Sequence, residues 1–327
     1  VTAPGEDAGL FLTNLRVRGW MDYETLSQYR RDLIMVTLMG DRHGRPQVDY
    51  TVNPALGIPD MTGPEDHDAP VASALPAWDL IAGNMVVSSL LAAERHRLRH
   101  GEGQEVEIAL KDVAAAIIGH LGMIGDAILN DEERGKAGNS LYGAYGQDFT
   151  CACGQRVMVI GLTARQWSGL VKITGTGQQM EMLAKRSGSD LRDEGVRWAL
   201  RHEITDILAP WFAARRVGDF ADSFDKAGVT WSIFRSVKEA VRHDPDLGEA
   251  NPMFSMLDQP GLGRFPVPGC PAEFSARART KPAPAPELGE HTEEILGDVA
   301  RLSDTEISQL FDKGVVESPR YTARSAA

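Results

Sequence analysis

The chain is poor in features that mark several large classes of protein. Its three cysteines, Cys151, Cys153 and Cys270, are too few for a disulfide framework, and they fit a reducing cytoplasm. No apolar stretch reaches the ~20 residues that are needed to span a bilayer. The phosphate-binding pattern Gly-x-x-x-x-Gly-Lys is also absent, which argues against ATP use. We therefore predict a cytoplasmic protein that has no membrane partner.

Positive charge is scarce relative to negative charge. The 34 lysines and arginines are outnumbered by 46 aspartates and glutamates, which gives a net charge of −12. This balance argues against nucleic acid as a partner, and it disfavours an anionic substrate at long range. Local arginines can still bind an anion, because salt screens charges that are more than about 8–10 Å apart.

The sequence does not predict a metal site. The run Cys151-Ala-Cys153-Gly is typical of a hairpin tip, and it lacks the second ligand pair that a zinc site needs. Four of the eight histidines, His43, His67, His96 and His100, lie in polar surroundings and are expected to be solvated. His120 falls inside an apolar helical run, where a hydrogen-bonded interior side chain is a better interpretation than a catalyst.

Apolar sequence, in contrast, is sufficient for two domains with a sizeable core. Hydrophobic residues make up 43% of the 327 positions. The apolar run at 33–38 predicts a buried parallel strand, and the alternation at 105–110 predicts another strand. Between these strands, residues 80–98 contain no proline and no acid before Glu94, which predicts a long buried helix. Alternating strands and helices predict an α/β fold.

Other stretches give further expectations. A helix is expected to open at Lys111 and to run through Ile124, and residues 167–211 are expected to be mostly helical. Pro210 is expected to kink or break the last of these helices, because proline removes a backbone donor and its ring crowds the preceding turn. Strands are expected at 156–161 and 230–234.

One acidic residue stands out at the start of the long helix. Asp79 lies in the run Leu-Pro-Ala-Trp-Asp-Leu, and Pro76 is a common helix-start residue. A carboxylate on the first turn can cap free backbone N–H groups, or it can be a nucleophile held at the positive end of the helix. From position alone the cap is favoured, because caps are far commoner than nucleophiles.

The order of motifs after Asp79 changes this balance. The helix is followed by the turn Gly101-Glu-Gly103-Gln, the strand with Val106 and Ile108, and a second helix that opens with an aspartate. This order resembles the family III CoA transferases. Further similar stretches at 9–20, 48–63, 138–149, 157–167, 251–263 and 288–296 extend the resemblance over the whole chain. In that family the aspartate at the head of this helix is the nucleophile that takes the acyl group from CoA.

The resemblance implies an architecture as well. It implies a Rossmann-like CoA-binding α/β domain, made of residues 1–145 and 275–327, and a smaller inserted α+β domain of residues 146–274 with its linkers. Family members form interlocked homodimers, so a homodimer is expected. The family's opening strand–helix–strand unit has no counterpart before residue 14, and we expect that this N-terminal unit is missing.

The resemblance also assigns candidate site residues. Asn14 and Leu15 match an Asn-Phe pair in a CoA-contacting loop, with Leu in place of Phe. In the same loop Arg18 is either a ligand for a phosphate or the substrate carboxylate, or a solvated side chain. Asp49 and Tyr50 match the family's acidic turn before a glycine-rich segment, and they are candidate substrate- or CoA-binding residues. Val48 stands where the family's racemases have a catalytic His, which counts against a racemase.

A glycine loop is the candidate for stabilising an oxyanion. It reads Tyr142-Gly143-Ala-Tyr-Gly146, and its backbone N–H groups could bind the negative oxygen of a tetrahedral intermediate. A plain turn is an equally good interpretation. No general base is required, because a free aspartate has a pKa near ~3.9 and is ionised at neutral pH.

The implied activity is acyl transfer through covalent intermediates on Asp79, with an acyl-CoA thioester as substrate and no bound cofactor or metal. The resemblance is strongest to a member that moves CoA between the two carboxyls of one dicarboxylic acid, which is formally an isomerisation. Two alternatives stay open. The protein could be an intermolecular CoA transferase that acts on a dicarboxylic acid, or a non-catalytic fragment of the fold.

Overall fold

The computed structural model describes residues 1–5, 8–131 and 133–319. The chain divides into two compact units, Val1–Ile233 and Phe234–Ala327. Each unit is described by itself. The domain boundaries that the family resemblance implies stay a prediction.

The first unit begins with alternating strands and helices, as the sequence predicts. These elements are β1 (Leu10–Thr13), α1 (Tyr23–Tyr29), β2 (Ile34–Met39), α2 (Asp49–Ala55), α3 (Ala77–His100), β3 (Gln104–Ala109), α4 (Leu110–His120) and α5 (Met123–Asn130). The three strands form one parallel sheet in the order β1-β2-β3, with Leu10 opposite Ile34 and Ile34 opposite Gln104. The α/β class and the strands predicted at 33–38 and 105–110 are confirmed.

One face of this sheet carries the core. Ile34 and Val36 of β2 and Ile108 of β3 are buried together with Ala82 and Val86 of α3. Successive side chains of a strand point to opposite faces, so the apolar alternation directs these residues onto the helices. Because α3 connects two parallel strands, its first residues lie at the edge of the sheet where the strands end. Ligands of open α/β sheets bind at this edge.

The turn between α3 and β3 depends on its glycines. Gly101 ends α3 in the left-handed region, with φ of 72°, and its N–H donates to the Arg97 C=O at 2.7 Å. A side chain at Gly103 would collide with the backbone of Leu33. The Gly-x-Gly pattern therefore has a structural reason of its own.

The rest of the first unit combines an antiparallel sheet with helices. Its elements are β4 (Gly146–Thr150), β5 (Arg156–Ile160), α6 (Ala164–Thr174), α7 (Gly177–Ser187), α8 (Glu194–Ala199), α9 (Arg201–Ala213), α10 (Ala221–Ala227) and β6 (Thr230–Ile233). The strand order is β4-β5-β6. The core is aromatic, and the rings of Phe149 and Phe212 stack with their centres 4.2 Å apart. The Cys151 hairpin tip and both strands predicted here are confirmed.

One expectation about helices is wrong, and the break that was one of the two expected effects of Pro210 does not occur. Helix α9 continues through Pro210, whose position near the C-terminal end sacrifices one backbone hydrogen bond without ending the helix. The helix that was expected from Lys111 through Ile124 is divided into α4 and α5. The division falls at Gly122, which adopts a left-handed φ of 79° that a continuous helix does not allow.

The burial of α3 also differs from the prediction. One face is buried, through Trp78, Ala82, Val86, Ala93 and Arg97. The apolar residues of the opposite face, which include Leu80, Val87, Leu91 and Leu98, are more than half exposed. The lack of acids in this stretch therefore indicated apolar character on two faces and not full burial in one chain.

The second unit contains a β-hairpin and short helices. Its elements are α11 (Val237–His243), β7 (Phe254–Gln259), β8 (Gly263–Pro268), α12 (Thr292–Glu294), a π-helical turn (Ile295–Val299) and α13 (Asp304–Asp312). β7 and β8 are antiparallel. Across the described residues of both units, no single helix is long and apolar enough to cross a membrane. Only α4 and α5 taken together, bent by 64°, reach that length and composition.

Candidate active site at the head of helix α3

Asp79 lies on the first turn of α3, where the sequence places it. Pro76 precedes the first helical residue, and the Leu80 N–H donates to the Pro76 C=O at 3.1 Å. The first turn of a helix has backbone N–H groups without partners inside the helix, and it carries a partial positive charge. An anionic side chain is therefore favoured at this position.

The head of α3 is fixed by two side chains from α2. Asp49 is buried, and its Oδ2 accepts a hydrogen bond from the Trp78 N–H at 2.7 Å. One turn later Asn53, also buried, accepts the indole Nε1–H of Trp78 at 3.0 Å through its Oδ1. The backbone and the ring of the residue next to Asp79 are thus held at separate points.

These contacts decide between the two interpretations of Asp79. The cap of α3 is supplied by Asp49, which satisfies the Trp78 N–H. The Asp79 carboxylate is exposed, and it makes no hydrogen bond or ion pair with any residue in the described part of the chain. The Asp79 carboxylate therefore has no structural role as a helix cap.

Two effects at Asp79 outweigh the attraction of the helix end and disfavour the charged form of its carboxyl. Partial burial raises the pKa of the Asp79 carboxyl, and the negative charge of Asp49 raises it further. Because no cation neutralises it, the carboxylate keeps its lone pairs available. The arrangement supports an oxygen nucleophile that needs no partner to remove a proton.

The predicted CoA loop follows β1 at the same edge of the sheet. Asn14, Leu15 and Arg18 are all exposed. The loop is closed by a hydrogen bond from the Leu15 N–H to Thr13 Oγ1 at 2.9 Å. Arg18 has no ion pair among the residues that the structure describes.

A cavity of about 590 Å³ lies beside this loop. Arg18 lines it together with residues of α1, β2 and β3. Arg16, which also lines it, makes an ion pair with Glu107. Arg18 is therefore the arginine of the two that has no ion-pair partner among the described residues, in a cavity that four carboxylates also line: Asp22, Glu24, Glu105 and Glu107.

Tyr50 and the glycine loop are placed differently from Asp49. Tyr50 is exposed on α2. The Tyr142 ring packs against Arg134, at 3.4 Å from the guanidinium carbon to the ring centre, and against Trp198. Arg134 belongs to the segment that precedes the loop and Trp198 to α8, and no contact joins Tyr142 to Asp79 among the described residues.

The two glycines of the loop have different structural reasons. Gly143 has a φ of 77°, which favours glycine. Gly146 is buried at the start of β4, where a Cβ would lie 2.6 Å from Ile160 Cδ1 and 2.8 Å from Leu141 Cβ. Close packing therefore explains why position 146 is glycine. At Gly143, in contrast, no atom lies within 4 Å of where a Cβ would be.

Sequence reasoning missed several residues of this region. Asn53 and Trp78 fix the head of α3, and Glu65 forms ion pairs with the start of α9. The spacing of Asp49 and Asn53 was the available signal, because residues four apart lie on one face of a helix. Glu65 had no such signal in its neighbourhood.

Comparison with known proteins shows the family to which this chain belongs. Residues 6–292 match the description of CoA-transferase family III. The chain therefore belongs to CoA-transferase family III, and it is an enzyme of the CoA-transferase class.

Among individual relatives, 2-methylfumaryl-CoA isomerase of Chloroflexus aurantiacus is 51% identical over 323 residues, which cover 99% of this chain and 79% of the relative. Succinyl-CoA:mesaconate CoA-transferase of Haloarcula hispanica is 25% identical, over 84% of this chain and 69% of the relative. A crystal structure of a CAIB/BAIF family protein from Brucella suis has the same fold, with a TM-score of 0.68, 23% identity, and coverage of 90% of this chain and 76% of that one.

Proposed function

We propose that the protein is an intramolecular CoA transferase that converts 2-methylfumaryl-CoA to 3-methylfumaryl-CoA. The substrate is an acyl-CoA thioester, and no further cofactor takes part. The substrate assignment draws on the relative that is 51% identical. The observation that carries the mechanism is the Asp79 carboxylate, exposed at the head of α3 and free of structural partners in the described chain.

The first half of the reaction moves CoA from C1 of the acid onto Asp79, through an anhydride. A carboxylate oxygen of Asp79 attacks the C1 thioester carbonyl, the C–S bond breaks, and CoA leaves as the thiolate. The product is a mixed anhydride of Asp79 and the acid. The thiolate then attacks the aspartyl carbonyl, which gives an aspartyl-CoA thioester and the free dicarboxylate.

The second half repeats these steps at the other end of the acid. The C4 carboxylate attacks the aspartyl-CoA carbonyl, and the CoA thiolate leaves again. The thiolate attacks the C4 carbonyl of the new anhydride, which forms 3-methylfumaryl-CoA and restores the Asp79 carboxylate. No proton is gained or lost. The trans double bond keeps the two carboxyls apart, so a relay through the enzyme is required.

The demands on the protein are electrostatic and steric. Each tetrahedral intermediate carries a negative oxygen that needs N–H donors, and the anhydride must be kept from water. We assign the first task to the backbone at Gly143, which retains a surface position, and not to Gly146, which is buried against Ile160. We assign the binding of a CoA phosphate or of the free carboxylate to Arg18, with Asn14 and Leu15 beside it.

Trapping with hydroxylamine tests the covalent mechanism. Hydroxylamine converts an activated aspartyl carbonyl into a stable hydroxamate, so intact-protein mass spectrometry with substrate should find a small mass increase that maps to Asp79. Asp79→Ala should show neither the adduct nor turnover. Turnover that survives in Asp79→Ala would remove Asp79 as the nucleophile.

An isotope experiment tests whether transfer is intramolecular. Labelled free mesaconate is added during turnover, and the thioester is analysed for label. A retained acid leaves the thioester unlabelled, whereas an intermolecular transferase incorporates label at each cycle.

We also infer that the protein works as a homodimer. Leu80, Val87, Leu91 and Leu98 are exposed, and their spacing of seven, four and seven residues places them on one stripe of α3. A second copy of this chain can cover the stripe, and no other protein is then needed to bury it. Light scattering should report a dimer, and Leu91→Glu should weaken it, whereas Leu129→Glu, off the stripe on α5, should not. A monomeric wild type would contradict the dimer.

A further inference from the structure

Residues 62–76 connect the 3₁₀ turn Pro59–Met61 to the first residue of α3, and we call them the leader segment. They have no helix or strand, and most of them are exposed. The last of them, Pro76, lies three residues before Asp79. The end of the leader segment therefore adjoins the proposed nucleophile.

One side chain ties the leader segment to the helical part of the same unit. Glu65 Oε1 accepts hydrogen bonds from Arg201 Nη2 at 3.1 Å and from Arg201 Nε at 3.3 Å. Glu65 Oε2 lies 3.3 Å from His202 Nε2. Both partners belong to the first turn of α9, so a single carboxylate bridges the segment and the helix.

An aromatic stack holds Arg201 ready for this contact. The Arg201 guanidinium carbon lies 4.1 Å from the centre of the Trp198 ring, and Arg201 Nη1 donates to the Trp198 C=O at 3.2 Å. The centres of the Trp198 and Tyr142 rings are 5.0 Å apart, and Arg134 lies over the Tyr142 ring. A stacked guanidinium loses less conformational freedom when it binds a carboxylate.

The leader segment has other attachments along its length. The Val71 N–H donates to the Pro59 C=O at 3.0 Å, and Pro76 at its end accepts the Leu80 N–H of α3. The Gly138 N–H donates to the Gly63 C=O at 3.0 Å, and Lys136 Nζ donates to the Ala69 C=O. The head of α3 is fixed from another direction by Asp49. The part of the segment around Glu65 can therefore move while the head of α3 stays fixed by Asp49.

We propose that Glu65 closes the leader segment over the transfer site and so retains the free dicarboxylic acid between the two half-reactions. This inference rests on the proposed function, in which the acid leaves Asp79 and must return by its other carboxyl. Partly exposed ion pairs are individually weak, so the same contact allows the segment to open for substrate entry and product release. Glu65 is a positioning residue that determines specificity.

The test compares Glu65→Gln with Asp66→Asn in the full chain. Asp66 is the neighbouring exposed carboxylate, and it makes no ion pair with any residue in ranges 1–5, 8–131 and 133–319. Two quantities are measured: hydrogen–deuterium exchange of residues 62–76 without substrate, and the ratio of labelled mesaconate incorporation to isomerisation during turnover. Arg201→Gln is combined with Glu65→Gln in a double variant.

Glu65→Gln is expected to speed exchange in the leader segment and to raise the incorporation ratio about fivefold, equivalent to about 1 kcal/mol. Asp66→Asn should match wild type, and Arg201→Gln should add little to Glu65→Gln because both act through one pair. If Glu65→Gln left hydrogen–deuterium exchange of residues 62–76 unchanged, Glu65 would not hold the leader segment in place. Faster exchange with an unchanged ratio would overturn the role in retention. A wild type that transfers no CoA would instead refute the proposed function, while exchange would still report on the fastening.

Discussion

Replacement of Asp49 is predicted to loosen the mounting of Asp79. Asp49 is buried, and it accepts the Trp78 N–H at 2.7 Å. Asp49→Ala leaves that buried donor without an acceptor, which costs about 1–3 kcal/mol. The loss of a helix cap, on the order of 0.5–2 kcal/mol, describes the same contact and is not added to it. We therefore expect the free energy of unfolding to fall by about 2 kcal/mol, and Tm to fall by about 4–8 °C.

Asp49→Asn separates the hydrogen bond from the charge. The amide oxygen can still accept the Trp78 N–H, so stability should fall by only about 1 kcal/mol. The charge that helps to raise the pKa of Asp79 is gone, so that pKa should fall while the effect of burial remains. Since the carboxylate is the nucleophile, the acid limb of kcat/KM should move to lower pH.

Thermal unfolding at pH 7 and the pH profile of isomerisation measure these two effects. Asp112→Asn is the matched control, because Asp112 is an exposed acid in the first turn of α4. It should leave both measurements close to wild type. The reasoning would be refuted if Asp49→Ala were as stable as this control, or if the acid limb of Asp49→Asn stayed in place or moved to higher pH.

Three further predictions concern stability. The raised pKa of Asp79 means that the folded state binds the proton more tightly than the unfolded state, so Asp79→Asn should be at least as stable as wild type at pH 7, and this difference should vanish as the pH falls below about 4 in denaturant titrations. Gly146→Ala should lower the free energy of unfolding by about 1–3 kcal/mol, because the new Cβ meets Ile160. Gly143→Ala should lower it by only about 1 kcal/mol, because the left-handed φ strains alanine. A lower Tm for Gly143→Ala than for Gly146→Ala would contradict this. Pro210→Ala should raise the free energy of unfolding by about 1 kcal/mol, because it restores a backbone donor in α9, and the Tm of the protein should rise with it; a lower Tm would contradict this.

The sequence predicted those elements whose pattern is local. The apolar run at 33–38 and the alternation at 105–110 became β2 and β3, because a strand in this layer needs only that its own residues fit a buried or half-buried surface. The break at Gly122 was missed because the apolar period continues across it. A single left-handed residue ended the helix while the pattern of buried side chains went on.

The candidate site was predictable only in part, for a physical reason. Asp79 could be singled out because its position on a helix and the order of the following motifs are both readable along the chain. Its mounting depends on contacts between residues 29 positions apart, and the leader segment depends on a contact between residues 136 positions apart. Such pairs are chosen by the packing of α2 and α9, and no local pattern specifies them.

The one large error about α3 leads back to the chemistry. The apolar residues of its outer stripe are exposed in a single chain, and so is the Asp79 carboxylate at its head. A mixed anhydride does not survive in open water, so the proposed reaction requires that this end of the helix be sheltered while the intermediate exists. A second copy that covers the stripe from Leu80 to Leu98 would bring that shelter next to Asp79, because Leu80 is its neighbour. In the proposed homodimer the second copy would supply the burial that the sequence predicted for α3, and disruption of the stripe should impair transfer as well as association.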